Sequence, residues 1–140
     1  MEFELTDFDI EVMEKLSKIC DLKENTKEDI KSFLERYKFK KKFYEVVGKY
    51  IRLETIKLVI YLKVEEIEED DERHLILKSS QTIRYNYTDD GVINNTSVTT
   101  IARGQNTIIA TKVSSTNEHI IKVIDQNEYE NELVNAVNIN

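Results

Sequence analysis

Few residues of this 140-residue chain could carry nucleophilic or metal chemistry. Zinc sites usually combine histidines or cysteines at short spacings, and neither His74 nor His119 lies in a His-x-x-x-His or Cys-x-x-Cys arrangement. A nucleophilic dyad would need Cys20 or a serine close to one of these histidines in space. The serines that could serve are Ser79, Ser80, Ser114 and Ser115, each in an ordinary strand or turn position. We therefore predict that the protein is not an enzyme, that it holds no metal or cofactor, and that Cys20 is a small buried apolar side chain.

A run of carboxylates could in principle bind a hard cation. It comprises Glu65, Glu66, Glu68, Glu69, Asp70, Asp71 and Glu72. Calcium and magnesium ions take such oxygen ligands, but the Asp-x-Asp-x-Asp-Gly order of a calcium loop is absent and no glycine lies nearby. The run therefore favours a solvated, self-repelling acidic turn over a metal site.

A set of basic side chains forms the sharpest local pattern. Lys38, Lys41, Lys42, Lys49 and Arg52 share an arc of about 100° on a helical wheel. This arc predicts a basic amphipathic helix over residues 39–53. The basic face could be solvated or neutralised by acidic segments of the chain itself. It could otherwise bind an acidic protein surface, nucleic-acid phosphate or, as the last alternative, an anionic membrane. The pI near 5.0 disfavours nucleic acid, because one local patch would have to overcome long-range repulsion.

A polar turn further along the chain is a second candidate for binding. Arg103, Gln105 and Asn106 flank Gly104, and Arg84 could join them if strand register allows. Such groups suit an anion or a protein carbonyl, although the segment matches no phosphate-binding loop. An exposed hairpin with ordinary polar residues is the alternative.

Helical spacing dominates the front of the chain. Thr6 can cap a first helix whose apolar residues repeat on one face, namely Phe8, Val12, Leu16 and Ile19. A second helix is predicted to begin at Thr26. Its apolar stripe changes face near Lys38, which predicts a break there and two helices over about 26–37 and 39–53.

Two-residue alternation, typical of β-strands, dominates the back of the chain. Tyr85 and Tyr87 share one strand face, which fits either a core face or an aromatic interface patch. The predicted strands are 56–64, 75–87 in one or two pieces, 92–103, 107–115 and 119–125, with turns at Asp89–Gly91 and Gly104–Asn106. The prediction is an α+β fold with two or three N-terminal helices packed on an antiparallel meander of about five strands. It forms one domain, with a helical part over 1–53, a sheet over 54–125, and a short helix and tail over 126–140.

Charge is segregated along the sequence. Residues 1–35 carry a net −6, residues 36–63 a net +7 and residues 64–75 a net −6, within a total of −7. Such blocks either neutralise one another on folding or form a polarised surface for a partner. The absence of Pro and the scarcity of Gly suggest an AT-rich coding sequence, typical of a low-GC bacterium, a phage or another virus.

We expect a cytoplasmic protein with no membrane association. The start of the chain is acidic where a secretory signal is basic and apolar, no apolar run is long enough to span a bilayer, and a single cysteine fits a reducing compartment. Strands 92–103 and 107–115 carry few charges and would offer uncovered edges, so a homodimer is expected.

The favoured function is a non-enzymatic protein-binding module, such as a phage or mobile-element inhibitor or accessory protein that acts on a host factor. Small size, acidity and charge segregation motivate this choice. One alternative is a nucleic-acid-binding protein that uses the helix over 39–53. The other is a small-ligand-binding protein with a pocket between helices and sheet.

Overall fold

The computed structural model describes residues 5–101 and 108–139. This part of the chain contains three helices and eight strands: α1 (Asp7–Leu16), α2 (Glu24–Tyr44), β1 (Tyr50–Thr55), β2 (Leu58–Lys63), β3 (Glu66–Asp71), β4 (His74–Ser79), β5 (Gln81–Tyr87), β6 (Ile93–Thr100), β7 (Ile109–Ser114), β8 (Ile120–Ile124) and α3 (Gln126–Ile139). The contacts divide the chain into two compact units, Met1–Glu45 and Val46–Asn140. The predicted α+β class is confirmed.

The first unit contains α1 and α2. As predicted, Thr6 caps α1: its side chain accepts a hydrogen bond from the Asp9 amide, and the Asp9 carboxylate accepts one from the Thr6 amide. Helix α2 begins at Glu24, two residues before the predicted start. Its buried side chains are Leu34, Tyr37, Phe39 and Phe43.

The predicted break near Lys38 is wrong, because α2 runs without interruption to Tyr44. The residues around Lys38 are ordinary helix formers, and no glycine or proline is present to bend the backbone. The change of apolar face that predicted a break is instead accommodated within one helix: Leu34 lies on one side of the wheel and Phe39 and Phe43 on the other, and all three are buried.

The predicted helix over 39–53 is also wrong. Helix α2 ends at Tyr44, Gly48 has a left-handed φ of +83°, and strand β1 begins at Tyr50. A left-handed residue stops an α-helix, and glycine is the residue that adopts this conformation without strain. Beyond it, Ile51 and Leu53 are buried while their neighbours are half-buried, which is the alternation of a strand.

The second unit contains two antiparallel sheets. The five-stranded sheet has the order β6-β5-β2-β1-β8, and the three-stranded sheet has the order β3-β4-β7. The predicted strand over 56–64 is shorter in the structure, because residues 56 and 57 form the two-residue turn between β1 and β2, in which Thr55 pairs with Leu58. The predicted turn at Asp89–Gly91 is confirmed, with Gly91 at a φ of +78°. The predicted turn at Gly104–Asn106 lies outside the described residues.

The acidic run contains a strand where a turn was expected. Strand β3 pairs with β4 and has five acidic residues among its six. Its charges meet basic side chains of other strands: Glu68 lies 3.4 Å from Lys78, and Asp70 lies 3.1 Å from Lys112. These cross-strand pairs offset the repulsion that made a solvated turn the simpler prediction.

The predicted closing helix is confirmed as α3. The Asp125 carboxylate caps its start by accepting a hydrogen bond from the Glu128 amide at 2.7 Å. One face of the five-stranded sheet packs against α3 in a core cluster of Val59, Ile83, Tyr85, Ile124, Tyr129 and Ala136. The opposite face meets the three-stranded sheet, where Arg84 donates to the Thr111 hydroxyl at 3.3 Å. The second unit therefore has three layers, and α3 leaves part of the outer sheet face uncovered.

Candidate protein-binding surface

Helix α1 carries an apolar stripe that faces solvent. The stripe consists of Phe8, Val12, Leu16 and Ile19, whose exposed fractions are 72%, 38%, 37% and 42%. The first three are four residues apart and so lie on one helical face, and Ile19 follows in the turn after the helix, where its amide donates to the Leu16 carbonyl at 3.3 Å. None of the ten residues of α1, all of them described, is buried. An amphipathic helix normally covers its apolar face, so this stripe is the most unusual surface of the first unit.

A different face of α1 packs against α2. Glu14 and Ser17 of the α1 segment line a shallow cleft of about 230 Å³ together with Leu34 and Lys38 of α2. The Lys38 ammonium lies 2.6 Å from a Glu14 carboxylate oxygen, and this contact lowers the pKa of Glu14 below its ordinary value. On a helical wheel Glu14 and Ser17 lie opposite the stripe. The stripe is therefore not used in packing between the two helices.

The stripe is bordered mainly by negative charge. Asp7, Asp9, Glu11 and Glu14 are the acidic residues of α1, and Lys15 is its one basic residue. Lys15 is itself 3.2 Å from Glu11 in an exposed pair. Hydrogen bonds from the Thr6 backbone and hydroxyl lower the pKa of Asp9, so this side chain is anionic at neutral pH. The combination is an exposed apolar ridge on a mainly acidic helix.

The predicted basic face is divided between elements. Lys38, Lys41 and Lys42 lie on α2, whereas Lys49 lies in the turn after it and Arg52 in β1. Lys41 approaches Glu45 at 3.9 Å, and the Lys42 ammonium lies 5.6 Å from the centre of the Phe43 ring. Partial burial lowers the pKa of Lys42. These residues do not form one helical face, because the helix that would have aligned them ends at Tyr44.

The other predicted binding residues are placed separately. Arg52 donates hydrogen bonds to the Glu54 carboxylate at 3.1 Å and to the Tyr61 hydroxyl at 3.2 Å. Arg84 is half-buried and bonded to Thr111, so it joins the two sheets of the second unit. Arg103, Gln105 and Asn106 lie outside the described residues.

A tyrosine-lined pocket lies between α3 and the five-stranded sheet. It has a volume of about 400 Å³ and is lined by Tyr61, Tyr85, Tyr87, Ile93, Glu132, Asn135 and Asn138. The pair Tyr85 and Tyr87 was recognised in the sequence, but Tyr61 and Glu132 were not. Strand register could have identified Tyr61, since its neighbour Val59 pairs with Tyr85. Helical spacing from Tyr129 could have suggested that the turn containing Glu132 faces the sheet.

A second cavity of about 410 Å³ opens between the two sheets. Its walls include Leu53 and Ile60 from the larger sheet, Val113 from the smaller one, and His119 in the loop before β8. The rest of the lining combines apolar side chains with threonines and an asparagine. The cavity offers space for a small molecule, and its ionisable residues are Lys112, Glu118 and His119.

The cysteine, serine, histidine and acidic residues considered for nucleophilic or metal chemistry lie in separate parts of the structure. Cys20, predicted to be buried, is exposed, because it lies in the turn after α1 rather than on a packed helical face. Ser80 donates to the Glu65 carboxylate at 2.7 Å, and Ser114 lies 2.8 Å from the Thr116 hydroxyl. The ligand atoms of Asp70, Asp71 and His74 lie within 4.8 Å of one another. His74 is 2.8 Å from Asp71, which lies at the exposed end of β3.

Comparison with protein-family models, with curated proteins and with solved structures finds no match to this chain. Within residues 5–101 and 108–139, each helix is too short or too polar to cross a bilayer. Function is therefore inferred from the surfaces and cavities described above.

Proposed function

We propose that this protein is a non-enzymatic protein-binding module whose α1 helix docks its apolar stripe into a groove of a partner protein. The observation that carries the proposal is the exposure of Phe8, Val12 and Leu16 on one face of α1, followed by the exposed Ile19. Amphipathic helices bind apolar grooves through anchors at this spacing. Phe8 is the most exposed and the largest of the four, so it serves as the central anchor.

The charge around the stripe defines the chemistry of the partner. Asp9 and Glu11 flank the apolar ridge, α1 has four acidic residues and one basic residue, and the whole chain carries a net charge of −7. A groove with an apolar floor and a basic rim complements such a helix, and the opposite charges accelerate association at low salt. A host factor with a basic groove, inhibited when this helix occupies it, matches the accessory or inhibitor role expected from the sequence.

The basic residues have a smaller role in this proposal. Lys38 and Lys41 approach carboxylates of their own unit, and Arg52 is bonded to Glu54. The alternative of nucleic-acid binding relied on a basic helix over 39–53. That helix does not form, because α2 ends at Tyr44. We place the partner contact on α1 and not on the basic part of α2.

The test compares two variants in which an exposed apolar side chain of a helix is replaced by aspartate. Phe8→Asp places a charge in the stripe, whereas Val134→Asp places one on α3, where Val134 is 58% exposed. We expect the wild type and Val134→Asp to capture a partner protein from a nuclease-treated host lysate, and Phe8→Asp to fail to capture it. The purified partner should then shift the amide resonances of α1 in the wild type. Unchanged melting temperatures establish that both variants fold. Retention of the partner by Phe8→Asp would contradict the proposal.

Self-association is the alternative use of the stripe, and light scattering separates it from partner binding. A wild-type dimer that becomes monomeric with Phe8→Asp would assign the stripe to a second copy of the chain and overturn the hetero-partner proposal. The homodimer predicted from strand edges would behave differently. Strands β6 and β7 are terminal strands of their sheets in the described residues, so a dimer formed through them would persist in Phe8→Asp.

A further inference from the structure

The tyrosine-lined pocket of the second unit is built from three aromatic rings at the edge of its core. The rings of Tyr61 and Tyr85 are nearly perpendicular, at 85°, with centroids 6.0 Å apart. Tyr85 is 97% buried and forms the floor, while Tyr61 and Tyr87 are half-buried and keep ring surface at the opening. Three aromatic rings from two adjacent strands thus converge on one space of about 400 Å³.

Glu132 gives this pocket a negative charge. Its carboxylate accepts a hydrogen bond from the Tyr85 hydroxyl at 2.7 Å, which fixes its position in the pocket wall. Burial, together with the Glu132 charge, raises the pKa of Tyr85, so this phenol stays a donor across the physiological range. Glu132 is the only charged residue of the described lining, and Asn135 and Asn138 supply neutral polar groups at the rim. The Arg52 guanidinium donates a hydrogen bond to the Tyr61 hydroxyl at 3.2 Å and is paired with Glu54 at 3.1 Å, and Arg52 does not line the pocket.

We propose that this pocket binds an alkylammonium group, either of a free amine or of a lysine side chain. Cations are attracted to the faces of tyrosine rings, and a neighbouring carboxylate adds direct charge pairing. The phenol oxygen of Tyr87 can accept a hydrogen bond from a primary ammonium, and the ring faces suit a methylated one. A neutral ligand of the same shape gains neither the ring attraction nor the carboxylate. This site is separate from α1 and does not depend on the proposed protein-binding function.

The first experiment compares a cation with its neutral isostere. Choline and 3,3-dimethyl-1-butanol have the same shape, and only choline carries charge; n-butylammonium tests a primary amine. Binding is followed by amide and tyrosine-ring resonances of the labelled full chain. We expect choline to shift resonances of Tyr61, Tyr87 and Glu132 with a Kd of about 1–10 mM, and the alcohol to produce no comparable shift. Equal binding of the alcohol, or no shift with choline or n-butylammonium at about 50 mM, overturns the proposal.

Variants identify the groups responsible. Glu132→Gln keeps the shape and an acceptor for Tyr85 but removes the charge, and should weaken choline binding about tenfold. The matched control Glu128→Gln makes the same change on an exposed residue of α3 outside the pocket lining and should leave binding unchanged. Tyr87→Leu should weaken binding about fivefold, whereas Tyr87→Phe keeps the ring and most of the affinity. Full affinity in folded Glu132→Gln would overturn the proposal.

The source of the ammonium group is resolved by a peptide series. Peptides with lysine, trimethyl-lysine or norleucine at one central position differ only in that side chain. If a cationic peptide binds more tightly than choline, the site recognises a protein side chain. If no cationic peptide binds more tightly than choline, the site recognises a free amine. Tight binding of the norleucine peptide to the same residues would contradict recognition of a cation.

Discussion

Thr6 and Asp9 show how two short side chains define the start of the proposed binding helix. The Asp9 carboxylate accepts hydrogen bonds from the Thr6 amide at 3.0 Å and the Thr6 hydroxyl at 2.8 Å, while that hydroxyl accepts one from the Asp9 amide at 3.1 Å. These contacts satisfy backbone groups that a helix start leaves without partners. They also place Phe8 within the first turn, so the orientation of the main anchor depends on this cap.

The cap makes the start of α1 sensitive to acid. Hydrogen bonds from the Thr6 backbone and then its side chain lower the pKa of Asp9 from its ordinary value of 3.8. A lowered pKa in the folded state means that the ionised carboxylate stabilises the fold above pH 3.8, and that this contribution is lost as pH falls through the lower folded value. Thr6→Ala removes the hydroxyl but keeps the backbone amide, so it should raise the pKa of Asp9 only part of the way towards 3.8 in a carboxyl NMR titration. The control Thr26→Ala should leave it lowered; an ordinary pKa of Asp9 in the wild type would exclude the cap.

At the scale of elements, Gly48 separates the helical unit from the first strand. It adopts a φ of +83° and donates a hydrogen bond to the Val64 carbonyl at 2.6 Å, and no atom lies within 4 Å of where a Cβ would be. Replacing Gly48 by a residue with a side chain is therefore destabilising because of the backbone conformation and not because space is lacking. The same residue explains why the apolar pattern of 39–53, although compatible with a helical wheel, does not form a helix.

Gly48→Ala should lower the free energy of unfolding of the second unit by about 1 kcal/mol, because an L-residue is strained in the left-handed region. Lys49→Ala, at the next position, changes an exposed side chain and should alter it by less than about 0.5 kcal/mol. Denaturant unfolding monitored by far-ultraviolet circular dichroism measures both. Equal stabilities of the two variants would mean that the turn can adopt another backbone conformation.

Sequence periodicity predicted the elements whose patterns are local. The capped start of α1, the Asp89–Gly91 turn, the strands around Tyr85 and Val113, and the closing helix follow from spacing and turn chemistry alone. Strand β3 was missed because it forms by pairing with β4, and its carboxylates lie beside Lys78 of β4 and Lys112 of β7, which the sequence alone does not place there. The candidate surfaces could be predicted only in part. The stripe of α1 was identified as a helical repeat, but its exposure depends on which face of α1 packs on α2. Predicting the tyrosine-lined pocket would have required the register between β2 and β5, which places Tyr61 near Tyr85.

At the scale of the whole molecule, the charge blocks of the sequence are only partly neutralised by one another. Lys38 of the basic block meets Glu14 of the first acidic block, and Lys57 meets Asp89 in the hairpin after β5. The second acidic block pairs instead with Lys78 and Lys112, which lie outside the basic block. Exposed pairs of this kind contribute at most about 1 kcal/mol each. Charge segregation is therefore a property of the surface more than a source of stability.

The second unit should fold without the first. All eight strands pair with strands of Val46–Asn140, and its core cluster joins the five-stranded sheet to α3 within the same segment. A fragment of residues 46–140 should unfold cooperatively and reproduce the amide resonances of β2, β5 and α3 in the full chain. Because Leu62 is fully buried, Leu62→Ala should destabilise the fragment by about 3 kcal/mol. Ile120→Ala, at a 62% exposed position of β8, should cost much less.

The fragment also separates the two proposed sites. Since the lining of the tyrosine-lined pocket lies entirely within residues 46–140, the fragment should bind choline as the full chain does. It lacks α1 and should capture no partner that depends on Phe8. A fragment with a disordered resonance spectrum would show that the sheets need residues 1–45 to fold. A folded fragment that captured the same partner would move the protein-binding surface from α1 to the second unit.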